Sequence, residues 1–559
     1  MQRLSPTTQH LLKEPVTRPQ YDPSKQGVGI VHLGVGAFHR AHQAVYTDGV
    51  LAMHGGDWRI AGVSLRNPTA AEQLNPQGGL YTVASIDDQS CDYRVIGSIK
   101  RVIAGAQDSH EAIDLMAAPQ TKIVSLTITE KGYCHNASTG GLAADHPDIV
   151  ADLNDPQSPR TAAGYIVEAL RKRRECDLAG FTVLSCDNLP NNGAVARQVI
   201  VEYSALLDKD LSRWIEHNVT FPSSMVDRIC PATTTADREK AANVLGLIDH
   251  GLVVAEPFSQ WVIEDQFCNG RPRWDGIGAK MVADVAPYET AKLRLLNASH
   301  SALAFIGCLE GHEFIHEVIR DDNMAAFVRH LMEEEVRTTL QEPDGFDVGR
   351  YIESIVERFG NSALPYRTAQ VATDTSQKLP QRLVGTAMDR LDANEKVDAI
   401  SLAIAAWIRS VTAEDERGRR SVIDDPLNEQ LASLLHQRQT MRAMWSMLCS
   451  ASLIFLHREQ QAVPSSATAS SHRWTKSRAM VPAVQSGDWC NNSTKRQGPS
   501  RAHIRDPRTY QPHRWLVCRF PGGSTASGLF GTQCWPGGTS AYSYDRRPPA
   551  NADRCPYRE

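Results

Sequence analysis

Gly27-Val-Gly-Ile-Val-His-Leu-Gly34-Val-Gly36-Ala-Phe-His39-Arg40-Ala-His42 reads as an apolar strand that enters a tight Gly-x-Gly turn and leaves it as a helix. Gly34 and Gly36 let the backbone turn sharply and come close to a phosphate, so this is where the pyrophosphate of a dinucleotide would sit. The fingerprint is incomplete, because His39 stands where a third glycine is usual. By itself a Gly-x-Gly after a strand is more often a plain turn. Arg40 is placed either to meet a phosphate or to cap the surface.

Outward from this unit, short apolar runs alternate with amphipathic ones as far as residue 285. WRIAGVSL near Trp58, TKIVSLTIT near Thr121 and GFTVLSC near Gly180 are the further buried-strand candidates. Alternation of this kind predicts an α/β fold, a Rossmann-type N-terminal domain over residues 1–285. From Pro287 the texture becomes helical, as in YETAKLRLLNASHSALAFIGCLEG and VDAISLAIAAWIRSV, which predicts a largely α-helical C-terminal domain over 286–455. Residues 456–559 hold four of the ten Trp together with segments such as FPGGSTASGLFGTQCWPGGTS, and their periodicity is lost, so an atypical, disordered tail is expected there.

A chain of 559 residues exceeds one core, and 42% hydrophobic with 22% charged residues is the composition of a globular protein. The net charge of -5 gives no general attraction to nucleic acid or anionic membrane, and neither partner is expected. The start MQRLSPTTQHLLKEP lacks the apolar run of a signal peptide, and no stretch has the length of a membrane span, so a cytoplasmic protein is expected, as a monomer or weak oligomer. The 12 cysteines show no CxxC pairing, which argues against a zinc site or a disulfide framework and predicts thiols.

The second strand of a dinucleotide-binding sheet usually ends near a carboxylate that reads the ribose 2′-hydroxyl. Here Arg66-Asn67-Pro68-Thr69 follows, so NADP is favoured and NAD stays open. In AKLRLLNASHSALAF, Lys292, Asn297 and His300 punctuate an apolar helix. At about 100° per residue, His300 lies about 80° and Asn297 about 140° from Lys292, so all three can border one cavity. A snorkelling lysine, a capping asparagine and a core histidine would be the plain structural reading. A nicotinamide-dependent alcohol oxidation needs a group to take the hydroxyl proton and donors to hold the alkoxide. A desolvated lysine can be that base, and Asn188 in LSCDNLPNNG, near a strand end, can join Asn297 as a donor. Tyr288-Glu-Thr-Ala-Lys292 also matches the Tyr-x-x-x-Lys signature of short-chain dehydrogenases. It stands some 250 residues after the glycine loop, however, outside the domain where that family carries it.

Seven ordered blocks resemble the long-chain mannitol dehydrogenase family: IVHLGVGAFHRAHQAVYTD, IVSLTITEKGYC, FTVLSCDNLPNNG, FPSSMVDRI, PFSQWVIEDQF, KLRLLNASH and DTSQKLPQR. The resemblance implies a metal-free site between the two domains with Lys292 as general acid/base and Asn188 and Asn297 around the oxyanion. It further implies His300 and Lys378 at substrate hydroxyls, Val226 and Asp227 near the nicotinamide, and Glu130 on the proton path. An ion pair of Asp227 with Arg228 and a turn cap at Glu130 are the alternatives. The chain departs from the family at Asn67-Pro68-Thr69, where NAD-using members have acidic residues, and after about residue 450, where the last helices give way to the tail.

The activity expected is that of a mannitol 2-dehydrogenase type polyol dehydrogenase or ketose reductase, acting on a small polyol or ketose. The alternative is a fructuronate reductase, with Arg367 in PYRTAQ as a cation for a carboxylate. A reading from another class, a non-catalytic nucleotide-binding protein with a basic tail, would leave Lys292, Asn297, His300 and Asn188 together without a reason.

Overall fold

The structure is a computed structural model, and it describes residues 1–136, 140–343, 345–411 and 425–427. These belong to one compact unit, whereas a second unit, Pro464–Asp553, lies outside the described residues, as does the tail expected from residue 456.

Eleven strands are named in chain order: β1 (Val28–Leu33), β2 (Arg59–Ser64), β3 (Tyr81–Ile86), β4 (Cys91–Ile96), β5 (Ile99–Ala104), β6 (Ile123–Leu126), β7 (Thr182–Ser185), β8 (Ser224–Asp227), β9 (Val253–Ala255), β10 (Gln260–Glu264) and β11 (Lys280–Val282). The main sheet is parallel with order β5-β2-β1-β6-β7. Every residue of β1, β6 and β7 is buried, which is why these strands read as continuous apolar runs. The chain leaves β1 toward β2 and β5 and returns to β6 and β7 on the other side, so strand order reverses at the carboxyl end of β1. A doubly wound sheet opens its ligand crevice at such a reversal. Small sheets of order β4-β3-β9 and β11-β10-β8 flank it. β5, missed in the sequence, is an edge strand whose Lys100 and Arg101 face solvent, a pattern that hides a half-buried strand.

From Ala286 the described chain is helical, and Leu303, Phe305, Phe327, Ile352, Ile355 and Ile400 centre a separate core. Helix Ala298–Glu310 buries Ala302 and Ala304, and helix Asp398–Val411 buries Ala399 and Ala403; the small side chains let backbones approach closely. The fold is thus a Rossmann-type parallel sheet followed by a helical domain. Cys91, Cys134, Cys186, Cys230, Cys268 and Cys308 are thiols as expected.

Candidate active site

The glycine loop closes β1 with Gly34 at φ +96, and a Cβ there would lie 2.1 Å from the Thr127 carbonyl oxygen, so only glycine fits. At Gly36 a Cβ would meet nothing nearer than 4.0 Å, leaving open space for a ligand to approach the backbone. His39 takes the third-glycine position by turning inward, its ring stacked on His32 at 3.3 Å between centroids, while His32 Nδ1 lies 2.8 Å from Ser125 Oγ. Arg40 reaches back to the loop, its Nε donating to the Gly36 carbonyl at 3.3 Å. It is buried, and its Nη1 donates to the Gly251 carbonyl at 2.7 Å, so the guanidinium ties the loop to the chain around Gly251. Arg66 is exposed after β2 beside Asn67, whose Oδ1 accepts from the Thr69 amide at 3.3 Å.

Lys292 ends helix Ala286–Lys292 and is 7% exposed. Its Nζ donates to Asn188 Oδ1 and to the Val226 carbonyl, each at 2.5 Å. Burial lowers its pKa to about 8; Asp227 opposes the shift, and the charges of Arg358 and Arg382 add to it. With two hydrogens of the nitrogen given to fixed acceptors, a neutral amine has its lone pair left for the third direction. Asn188, exposed to the crevice, turns its oxygen to the lysine and thereby its amide NH2 away, free to hold an oxygen of a substrate.

The next residues, Leu293–Asn297, form a π turn before helix Ala298–Glu310. One extra residue in the turn takes back about 100° of rotation, so His300 comes within about 20° of Lys292 and Asn297 within about 40°. The three share one face more closely than a uniform α-helix would allow. His300 stacks on Phe359 with centroids 5.0 Å apart and meets Tyr366 edge-on at 5.7 Å. Burial, aided by Arg382 and Arg358, lowers its pKa to about 3, so the imidazole is neutral.

Glu130 is exposed at the start of the short helix Glu130–Tyr133. Asp187 holds that loop, accepting from the amides of Ile128 at 3.1 Å and Thr129 at 2.8 Å, with Thr129 at φ 63 and ψ 163. Backbone of that kind is costly outside glycine and persists only where its surroundings enforce it. Lys378 Nζ donates to the Thr373 carbonyl at 2.7 Å. Its proton affinity is lowered by burial and then by Arg382, while Asp374, Asp425 and Glu130 oppose, so the Glu130 loop and Lys378 lie within electrostatic reach of each other.

Asp227 is buried, and its partner is Arg358 rather than Arg228: Arg358 Nη2 meets Oδ1 at 2.8 Å and Nη1 meets Oδ2 at 2.9 Å. The same guanidinium grips Glu256 through Nε at 2.9 Å and Nη2 at 2.8 Å. Arg228 instead donates to the Glu256 carbonyl and to Ser85 Oγ. The carboxylate of Asp227 is therefore held by Arg358 rather than by its neighbour Arg228, and its charge acts on Lys292. Arg367, the cation considered for a carboxylate, lies apart from these residues. It is exposed and paired with Glu313, since Tyr366 faces His300 and the extended backbone at Arg367 sends the next side chain the other way. Tyr288 packs under Lys280, whose Nζ is 4.7 Å from the ring centroid, and edge-on to Phe346 at 5.5 Å.

Sequence reading missed Arg358 and Arg382. Arg358 stands in register with the buried Tyr351 and Ile355 at i+4 and i+7 of one helix stripe, the signal that it points inward.

Two family profiles cover this architecture, the mannitol dehydrogenase Rossmann domain at residues 28–276 and the mannitol dehydrogenase C-terminal domain at 284–455. The chain belongs to the mannitol dehydrogenase family. It is an oxidoreductase of that family. D-mannonate oxidoreductase of Escherichia coli is 45% identical over 429 residues, 76% of this chain and 88% of that protein. Mannitol 2-dehydrogenase of Phaeosphaeria nodorum is 40% identical over 423 residues, 74% of each chain. Among solved structures, the mannitol 2-dehydrogenase of Pseudomonas fluorescens, in a ternary complex with NAD and D-mannitol, superposes with a TM-score of 0.74 at 36% identity, covering 82% of this chain and all of that one. No helix among the described residues is long and apolar enough to cross a membrane.

Proposed function

We propose that this member of the family oxidises a secondary alcohol of an open-chain polyhydroxy compound, or reduces the matching ketone, with Lys292 as the group that takes or returns the proton. The observation that carries the reading is the Lys292 nitrogen, buried, held by Asn188 and Val226, and lowered to about 8. A nicotinamide dinucleotide, for which the glycine turn at Gly34 and the open side of Gly36 leave room, supplies the hydride acceptor. Neutral Lys292 accepts the hydroxyl proton at Nζ as the carbinol C–H bond breaks, so the O–H electron pair becomes the carbonyl bond. The amides of Asn188 and Asn297 hold the oxygen while negative charge develops, and His300 and Lys378 contact neighbouring hydroxyls. Glu130, exposed at the start of its short helix, is assigned the relay of the proton to water.

A panel of alditols, ketoses and aldonates, assayed with NAD and with NADP, tests this. No turnover of any of them would sink the reading. A second substrate pair, aldonate and ketoaldonate, is favoured by the 45% identity to D-mannonate oxidoreductase.

NADP is expected to serve at least as well as NAD, because Arg66 stands exposed where a carboxylate would repel a 2′-phosphate. Asn67→Asp should shift the ratio of kcat/KM values toward NAD by roughly fivefold, as an exposed charge contact is worth on the order of 1 kcal/mol. Strong preference of the wild type for NAD in steady-state rates refutes the NADP reading.

A further inference from the structure

Four cations surround the reacting end of the crevice, and they differ in what neutralises them. Arg358 is closed between Asp227 and Glu256. Lys292 has Asp227 within reach, and Lys378 has Asp374, Asp425 and Glu130. Arg382 has no carboxylate against it among the described residues, and burial alone pushes its pKa down to about 10.

One edge of the Arg382 guanidinium is fixed to the catalytic helix. Nη1 donates to Ser301 Oγ at 2.8 Å and to the Asn297 carbonyl at 3.3 Å. Asn297, His300 and Ser301, at i, i+3 and i+4, form one face of that helix, so the arginine overhangs the face that carries Asn297 and His300. The remaining donors, Nε and Nη2, meet no acceptor among the described residues. Lys292, His300 and Lys378 all lie close enough to feel its charge.

We infer that Arg382 is the specificity-determining residue of this site and binds a terminal carboxylate of the substrate, so that the compound oxidised at Lys292 is a sugar acid rather than a neutral polyol. A half-buried cation without a counter-charge carries a desolvation cost that a hydroxyl cannot offset and a carboxylate can. Two adjacent N–H groups on a fixed plane match the two oxygens of a carboxylate, a match no lysine provides. The inference rests on the alcohol-oxidation reading above and moves the carboxylate contact from exposed Arg367 to Arg382.

The test compares kcat/KM for D-mannonate and D-mannitol on the full chain with the same cofactor. The wild type is expected to prefer the acid by at least about tenfold, and Arg382→Gln to lower the acid-to-polyol ratio by about 10- to 100-fold, mostly through KM, the range of hydrogen bonds to a charged group. Arg382→Lys keeps the charge but not the fork and is expected to fall between the two; it also serves as the informative variant if Arg382→Gln does not melt as a folded protein. Wild-type preference for D-mannitol, or a ratio unmoved in both variants, overturns the assignment while leaving the alcohol-oxidation reading standing. Turnover of neither compound, nor of any other in the panel, overturns that reading itself.

Discussion

Lys292→Ala lowers kcat by about two to four orders of magnitude, the usual contribution of a positioned acid or base. Dinucleotide binding, which we assign to the glycine turn at Gly34 and Gly36, is expected to survive and is checked by cofactor fluorescence titration. The reason for so large an effect is that the alanine removes the only group whose nitrogen is held by both Asn188 and Val226. Tyr288→Phe is the control. Tyr288 is buried against Phe346 beneath Lys280, and its loss of a hydroxyl should leave kcat within about tenfold. If instead Tyr288→Phe abolished turnover while Lys292→Ala stayed near normal, the tyrosine would be the base and the mechanism would belong to short-chain dehydrogenases.

The pH profile follows from the same nitrogen. Alcohol oxidation needs neutral Lys292, so kcat/KM should climb with pH and level off above about 8, whereas ketone reduction needs the protonated form and should fall above that point. Burial of the amine is the leading cause of the low value, so a change that admits water to the Lys292 pocket should move both profiles upward.

Much of this was legible in the residues, for identifiable reasons. β1, β6 and β7 are buried on both faces, so their apolar runs stand out, while β5 carries Lys100 and Arg101 at the sheet edge and reads as a loop. Lys292, Asn297 and His300 are conspicuous because polar groups on an apolar helix need an explanation. Their angular placement was less legible: nothing in LRLLN announces a π turn, so the sequence-based angles of about 80° and 140° are replaced by a tighter alignment. Charged groups were the least legible. Asp227 could have paired with Arg228 beside it, and only the tertiary fold brings Arg358 from 131 residues away. Arg40 and Arg367 are ordinary cations in the sequence, and their partners, Gly251 and Glu313, are likewise chosen by packing.

Arg358→Met is expected to destabilise the protein by about 3–5 kcal/mol, the cost of leaving buried charges unpaired. Arg358, Asp227 and Glu256 are each less than 10% exposed, and Tyr351 adds a hydrogen bond to Asp227 at 3.2 Å, so water has little access to replace the guanidinium. The arginine lies on helix Val348–Gly360 of the helical domain, while Asp227 ends β8 and Glu256 follows β9, so the ion pairs join the two halves directly behind Lys292. In the wild type, burial raises the proton affinity of Asp227, but Arg358 together with Lys292 and Tyr351 more than reverses this and holds the carboxyl below its usual range, whereas Glu256 stays raised by burial. Without Arg358 both carboxyls should rise well above their unfolded values of about 4. Folding the variant then requires either proton uptake or two buried anions, so its deficit is full at neutral pH and shrinks as pH falls through the raised values. Denaturant unfolding of wild type and variant at neutral and mildly acidic pH measures both the size and the sign. A deficit independent of pH would mean that lost packing against Phe258, whose ring centroid is 4.0 Å from the guanidinium, outweighs the unpaired charge. Asp227→Asn in the Arg358→Met background separates the two causes further, since it removes one orphaned anion and should recover part of the loss only if charge dominates.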